Sequence, residues 1–195
     1  MYLENYIYRM DDKLPVNFCD EIIDFSLEKS QVVATVGGLS KDKMYKKEGK
    51  KVRNSHVVWL NEPWIYEELW PLVHEANKNA KWNFKLTDVE PLQFTKYVGS
   101  LNQHYDWHTD SGKGSHAFRK LSFVLQLSDP KSYVGGQFLI NSDRRWSKKN
   151  ICFDKSWENK GSIIFFPSFL EHAVTPVILG TRYSLVGWLK GPLFT

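Results

Sequence analysis

Two short runs in this chain pair an imidazole with a carboxylate two residues on: His104-Tyr105-Asp106 and His108-Thr109-Asp110. Side chains alternate along a β-strand with period two, so on a strand each run would aim a nitrogen and an oxygen donor at one point from one face. A further histidine, His172, lies far downstream, after the strand-like run Gly161-Ser-Ile-Ile-Phe-Phe-Pro167. Two histidines and one carboxylate form a donor set for iron(II) that leaves coordination positions open for other ligands. The two runs start four residues apart and would share a strand face, so pattern alone does not choose between them. The turn signal Ser111-Gly112 directly after Asp110 favours the later run as ligands at a strand end. A single His-x-Asp among 6 histidines and 22 acidic residues is a weak signal by itself.

Ten residues beyond His172 comes Arg182, within Gly180-Thr-Arg-Tyr-Ser-Leu-Val-Gly-Trp188. An arginine pointing inward from an apolar strand needs a carboxylate or phosphate partner. Ser184, two residues on, shares its face and offers a hydroxyl to the same anion. A guanidinium fork beside a metal with vacant positions suits a bidentate 2-oxo acid.

These residues need a scaffold, and the hydrophobic pattern outlines it. Phe18, Ile22, Phe25 and Leu27 mark an amphipathic helix after Pro15, and Ile65, Leu69, Leu72 and Val73 mark a second helix from Pro63 to about Ala76. Between them, residues 39 to 52 are polar, Lys-rich and flanked by glycines, and read as a lid over a binding site. From Pro91 onward short apolar runs follow at strand spacing: Leu92 to Val98, Leu121 to Leu127, Gln137 to Ile140, Ser162 to Phe166 and Arg182 to Trp188. The expected architecture is mainly β with flanking helices, a double-stranded β-helix or jelly roll. The 195 residues fit one domain, with 1–90 as helical support and lid and 91–192 as the catalytic jelly roll.

Composition narrows the setting. Hydrophobic residues make up 42% of the chain and aromatics 15%, which excludes a disordered protein. The net charge of +4 is concentrated between Lys41 and Arg53, a poor footprint for nucleic acid. Cys19 and Cys152 are far apart and suit buried thiols rather than a disulfide framework. Neither a signal peptide nor a membrane-length apolar run is present, so a cytoplasmic location is expected, that of the host if the source is a bacteriophage.

The ordered set Tyr97-Val-Gly99, Tyr105-Asp-Trp-His108-Thr-Asp110, Arg119-Lys-Leu-Ser122, Tyr133-Val-Gly-Gly136, Gly161, Phe166-Pro167, His172-x-Val174-x-Pro176-Val177 and Gly180-Thr-Arg182-Tyr-Ser184-Leu-Val-Gly-Trp188 resembles the prolyl 4-hydroxylase-like branch of the iron(II)/2-oxoglutarate dioxygenases, above all its bacterial and bacteriophage members. The resemblance covers residues 50 to 192. It implies the register His108 and Asp110, with His172 as the third metal ligand, Arg182 and Ser184 on the 5-carboxylate of 2-oxoglutarate, and Tyr97 as a further co-substrate contact. A second co-substrate tyrosine of some relatives would fall near Gln126, where this chain departs from the pattern.

The resemblance further implies iron(II) as cofactor, 2-oxoglutarate as co-substrate, ascorbate as an auxiliary reductant, and hydroxylation of an unactivated C–H, foremost of a prolyl residue in a peptide or protein. Trp59, Tyr105 and Trp107 would wall the substrate site. Hydroxylation of another amino acid or small molecule is the nearest alternative, and a non-catalytic jelly-roll binding module is the alternative from another class. A nucleic-acid demethylase of the same fold would carry a second arginine six residues after the first, where this chain has Trp188. His104 and Asp106 match nothing in that mechanism.

Overall fold

A computed structural model describes residues 5–34, 46–47, 50–141, 151–152 and 158–193. In chain order the elements are β1 (Tyr8–Met10), α1 (Val16–Leu27), β2 (Val32–Val33), β3 (Lys46–Lys47), β4 (Lys50–Lys51), β5 (Arg53–Asn54), β6 (His56–Leu60) and α2 (Pro63–Asn79). There follow β7 (Asp88–Val89), β8 (Leu92–Val98), β9 (His104–His108), β10 (Arg119–Gln126), β11 (Tyr133–Gly135) and β12 (Phe138–Ile140). The last are β13 (Ile151–Cys152), β14 (Ile163–Pro167), β15 (His172–Val174) and β16 (Val177–Lys190).

Both helices lie where the apolar spacing puts them, and Pro63 occupies the first turn of α2, where its missing N–H costs nothing. The major sheet runs β1-β14-β10-β16-β8-β6-β2, with β7 and β11 also pairing β16, and the minor sheet runs β13-β12-β15-β9-β5. All pairings among the described strands are antiparallel, the arrangement of a jelly roll. The sheets also recruit β1, β2, β5 and β6 from the first sixty residues, a stretch read from sequence as helix and loop. These strands are two to five residues long, too short for alternation to show.

Strand parity divides the core. Leu92, Phe94, Leu121, Phe123, Leu125, Ile163, Phe165, Leu185 and Leu189 face one way, where Phe18, Ile22, Ile65, Leu69 and Val73 of the helices cover them. The alternate residues Tyr97, Val124, Ile164 and Phe166 face the minor sheet and pack with Phe138, Ile140 and Val174. Gly187 belongs to the helix side, and a Cβ there would lie 2.3 Å from the Phe123 ring.

Residues 39–45 and 48–49 of the expected lid lie outside the described residues. Of the rest of that segment, Lys46–Lys47 and Lys50–Lys51 pair as β3 with β4, Lys46 opposite Lys51, and the Val52 carbonyl accepts from the Asp106 N–H at 2.8 Å. Cys19 is a free, buried thiol. Among the described residues no helix is long and apolar enough to cross a membrane.

Candidate metal and co-substrate site

His172 opens β15 and pairs directly with His108, the last residue of β9. Asp110 follows two residues beyond the strand end, where its N–H and that of Ser111 both donate to the Ser168 carbonyl, at 3.0 and 2.9 Å. The three side chains converge. His172 Nε2 lies 3.5 Å from Asp110 Oδ2 and His108 Nε2 lies 3.8 Å from Asp110 Oδ1. Among the described residues this is the group of three or more His, Cys, Asp or Glu whose donor atoms gather within 4.8 Å.

His104 and Asp106 are not part of it. The pairing of β9 with β15 shifts register between His172↔His108 and Val174↔Tyr105, inserting one extra residue in β9. Period two is broken there, so Tyr105 and His108, three apart, share a face and stack with ring centroids 3.5 Å apart. His104 instead pairs with Asn54, and its Nδ1 lies 3.0 Å from the Asn102 carbonyl oxygen. The expectation that both His-x-Asp runs share one face fails on this bulge. His108 and Asp110 converge through the bend after the strand, not through strand alternation.

The electrostatics suit a cation. Each histidine places Nδ1 against a backbone carbonyl, His108 on Asp106 at 2.8 Å and His172 on Leu170 at 3.0 Å, which assigns the proton to Nδ1 and leaves Nε2 with its lone pair toward Asp110. Burial, with His172 nearby, drops the His108 pKa to about 3, so its imidazole is neutral at pH 7. Burial works to raise the Asp110 pKa, but the two histidines and the Ser122 hydroxyl together hold it below the usual carboxylate value. Adjacent ligands with bonds of about 2.0–2.2 Å sit roughly 3 Å apart, so a side-chain shift of under about 1 Å closes these pairs on an ion. The donor set fits iron(II).

Ser122 orients the carboxylate, its Oγ 2.7 Å from Asp110 Oδ2 and 2.9 Å from Ser168 Oγ. Groups that fix a ligand from behind typically tune metal affinity by 10–100-fold. Ser122→Ala is expected to weaken iron binding on that order with little change in 2-oxoglutarate affinity at saturating iron. Anaerobic iron titration checks this, and unchanged iron affinity would mean that the hydroxyl is dispensable.

A cavity of about 350 Å³ opens beside these residues, lined among others by Tyr97, Arg182, Ser184, Trp59 and Tyr105. Trp107 is not among its lining residues. Arg182 is 1% exposed and pairs with no carboxylate among the described residues. Neutral groups hold it: Nη2 donates to Gln126 Oε1 at 2.7 Å, Nη1 to Ser184 Oγ at 3.4 Å, the Tyr133 phenol lies beside it, and Tyr97 lies 5.6 Å from ring centroid to guanidinium carbon. A buried guanidinium without a counter-ion is costly unless an anion arrives. Gly136, at φ +65°, lets β11 and β12 pass Arg182, because a Cβ there would lie 2.9 Å from Arg182 Cδ.

Sequence reasoning by residue type missed Tyr133, Gln126 and Ser122, together with Arg119, which forks onto Glu90 and lies 4.2 Å over the Trp188 ring. A signal was present. Gln93, Thr95, Ser122, Gln126 and Ser184 alternate with large apolar residues on strands buried on both sides, and polar side chains at period two in such strands mark a working face.

The fold and this donor set define a class. The pattern of the 2OG-Fe(II) oxygenase superfamily matches residues 92–190, half of the chain, and the chain belongs to that superfamily. Iron(II) and 2-oxoglutarate are the cofactor and co-substrate of that family. Within it, the chain is 37% identical over 105 residues to a PKHD-type hydroxylase of Crocosphaera subtropica, a stretch covering 52% of this chain and 43% of the relative. A PKHD-type hydroxylase of Synechococcus is 35% identical over 91 residues, covering 47% and 38%. The chain thus spans less than half the length of these two relatives. A Pseudomonas putida prolyl-4-hydroxylase superposes with TM-score 0.70 at 17% identity, covering 97% of this chain and 94% of that one. A Trichoplax adhaerens prolyl hydroxylase in complex with a hypoxia inducible factor peptide fragment gives 0.68 at 15%, covering 96% and 84%. At these identities the superpositions speak to the jelly-roll fold, which they share.

Proposed function

We propose that this protein is an iron(II)- and 2-oxoglutarate-dependent dioxygenase that hydroxylates an unactivated C–H, foremost of a prolyl residue in a peptide or protein. The observation that carries this reading is the juxtaposition, along one cavity, of the His108, Asp110 and His172 donors with a buried Arg182 that has no ionic partner among the described residues. His108, Asp110 and His172 would hold iron(II), and Arg182 with Ser184 would take the 5-carboxylate of 2-oxoglutarate, with Tyr97 packed beside it. When bound, the iron and 2-oxoglutarate would supply the oxidising chemistry with molecular oxygen as the oxidant: one oxygen atom enters the succinate formed from 2-oxoglutarate as carbon dioxide leaves, and the other turns a C–H into C–OH.

The protein's own part is to bind, orient and keep water out. Gln126, Ser184 and Tyr133 hold the Arg182 fork in place before the co-substrate arrives, which lowers the ordering cost of binding. Val124, Phe138, Val174 and Val186 give the cavity apolar walls. No protein group need act as general base.

A prolyl peptide as substrate is supported by the hydroxylase names of the relatives, by the prolyl hydroxylases among the fold neighbours, and by aromatic Trp59 and Tyr105 at the cavity. A cytoplasmic setting accords with the free Cys19 thiol. Incubation with iron(II), 2-oxoglutarate and a panel of proline-containing peptides should yield succinate and a peptide heavier by one oxygen atom. Succinate formation without any oxygen-bearing peptide would move the substrate assignment to another amino acid or small molecule. Absence of both would favour a non-catalytic binding module.

A further inference from the structure

Besides Arg182 and Arg119, which is paired with Glu90, a third buried arginine lines the same cavity. Arg53, on β5, is 7% exposed, and among the described residues it pairs with no carboxylate. Its Nε donates to Ser55 Oγ at 3.1 Å, its guanidinium carbon lies 4.4 Å over the Tyr105 ring, and Nη2 has no hydrogen-bond partner among the described residues. Tyr105 in turn stacks on His108. Arg53 therefore sits on the metal side of the cavity, one ring further out than a proposed ligand.

A charge balance over the loaded site leaves this residue over. Iron(II) and Arg182 together match Asp110 and dianionic 2-oxoglutarate, and Arg119 is matched by Glu90. Among the described residues Arg53 stays unmatched and is largely buried, where an uncompensated charge is expensive. A planar fork with an unsatisfied donor is built for a carboxylate.

Resting on the function proposed above, we propose that Arg53 is a specificity residue that binds a carboxylate of the substrate close to the C–H that reacts. The substrate is then anionic at that end. The carboxylate would be either the terminus of a chain ending near the target residue or the side chain of an Asp or Glu beside it.

The test uses full-length protein loaded anaerobically with iron(II) and 2-oxoglutarate. Binding is measured for short proline peptides ending in a free carboxylate against their C-terminal amides, and for peptides with Asp or Glu beside proline against the Asn or Gln versions. In at least one arm the acid should bind roughly tenfold or more tighter, the size of a charge-assisted hydrogen bond, and that arm identifies the source. Arg53→Gln should abolish the preference and Arg53→Lys retain part of it. The melting temperature of ligand-free Arg53→Gln should stay level or rise, since an unmatched buried cation is removed.

No acid preference in either arm, or one that survives in Arg53→Gln, overturns the proposal. So does a fall in melting temperature together with iron affinity, which would make Arg53 a prop for Tyr105 and His108. A fall in 2-oxoglutarate affinity would place it in the co-substrate site and equally overturn it. If wild type takes up iron and 2-oxoglutarate but ignores peptide charge, this inference fails alone. If it takes up neither, the proposed function fails with it.

Discussion

Arg182→Ala is expected to weaken 2-oxoglutarate binding on the order of 30-fold or more while leaving iron affinity near wild type. The guanidinium is buried, held by Gln126, Ser184 and Tyr133, and unmatched by any carboxylate among the described residues. Losing a desolvated, charge-assisted pair costs about 2 to 5 kcal/mol, because the carboxylate left behind stays unpaired, and the fold-change follows from about 1.4 kcal/mol per factor of ten. Arg182→Lys should fall between, keeping the charge and losing the planar fork that the neutral partners hold. Isothermal titration with 2-oxoglutarate, with iron content measured separately, checks both variants. Unchanged affinity in the alanine variant would mean that another cation, Arg53 foremost, anchors the co-substrate.

His172→Ala should abolish iron binding and turnover together, and Asp110→Ala should do the same. Each removes one of three donors and leaves two, and the ion then loses both a bond and, with Asp110, the only carboxylate in the cluster. His104→Ala serves as the control, since its ring sits at the far end of β9 against the Asn102 carbonyl and should leave iron content unaltered. Metal analysis of the three purified variants after anaerobic loading decides the matter. Iron retained in full by His172→Ala, or lost in His104→Ala, would sink the ligand assignment. Measurement near neutral pH is suitable, because burial keeps His108 unprotonated down to about pH 3 and no proton competes with the ion at that nitrogen.

Much of this was legible in the residues. The helix stripes and the five apolar runs after Pro91 correspond to α1, α2, β8, β10, β12, β14 and β16, because each is long enough or apolar enough for its periodicity to register. Arg182 and Ser184 share a face as strand alternation requires, and both reach the cavity. Choosing between the two His-x-Asp runs was beyond pattern alone. A one-residue bulge in β9 decides which side chains face His172, and a bulge leaves no trace in alternation that assumes a regular strand. The short strands of the first sixty residues escaped for a different reason. They exist because longer strands offer them partners, Arg53 opposite Tyr105 and Val57 opposite Thr95, and that information lies elsewhere in the chain. Arg53, read as part of a charged loop, acquired its buried place the same way.

The parity of β16 has an outcome for how such a protein can change. Ser184, Val186 and Trp188 front the cavity, whereas Leu185, Gly187 and Leu189 are committed to the layer of helices behind. Exchanging residues of the first set alters what the pocket accepts and disturbs little of what holds the sheet to the helices, so selectivity can drift while the scaffold is inherited intact. A deletion or insertion of one residue within the strand does the reverse. It turns the arginine and serine toward the helices and pushes leucines into the pocket, so both chemistry and packing fail at once. New specificities on this framework should therefore arise by replacement at every second position, with changes of length confined to the loops.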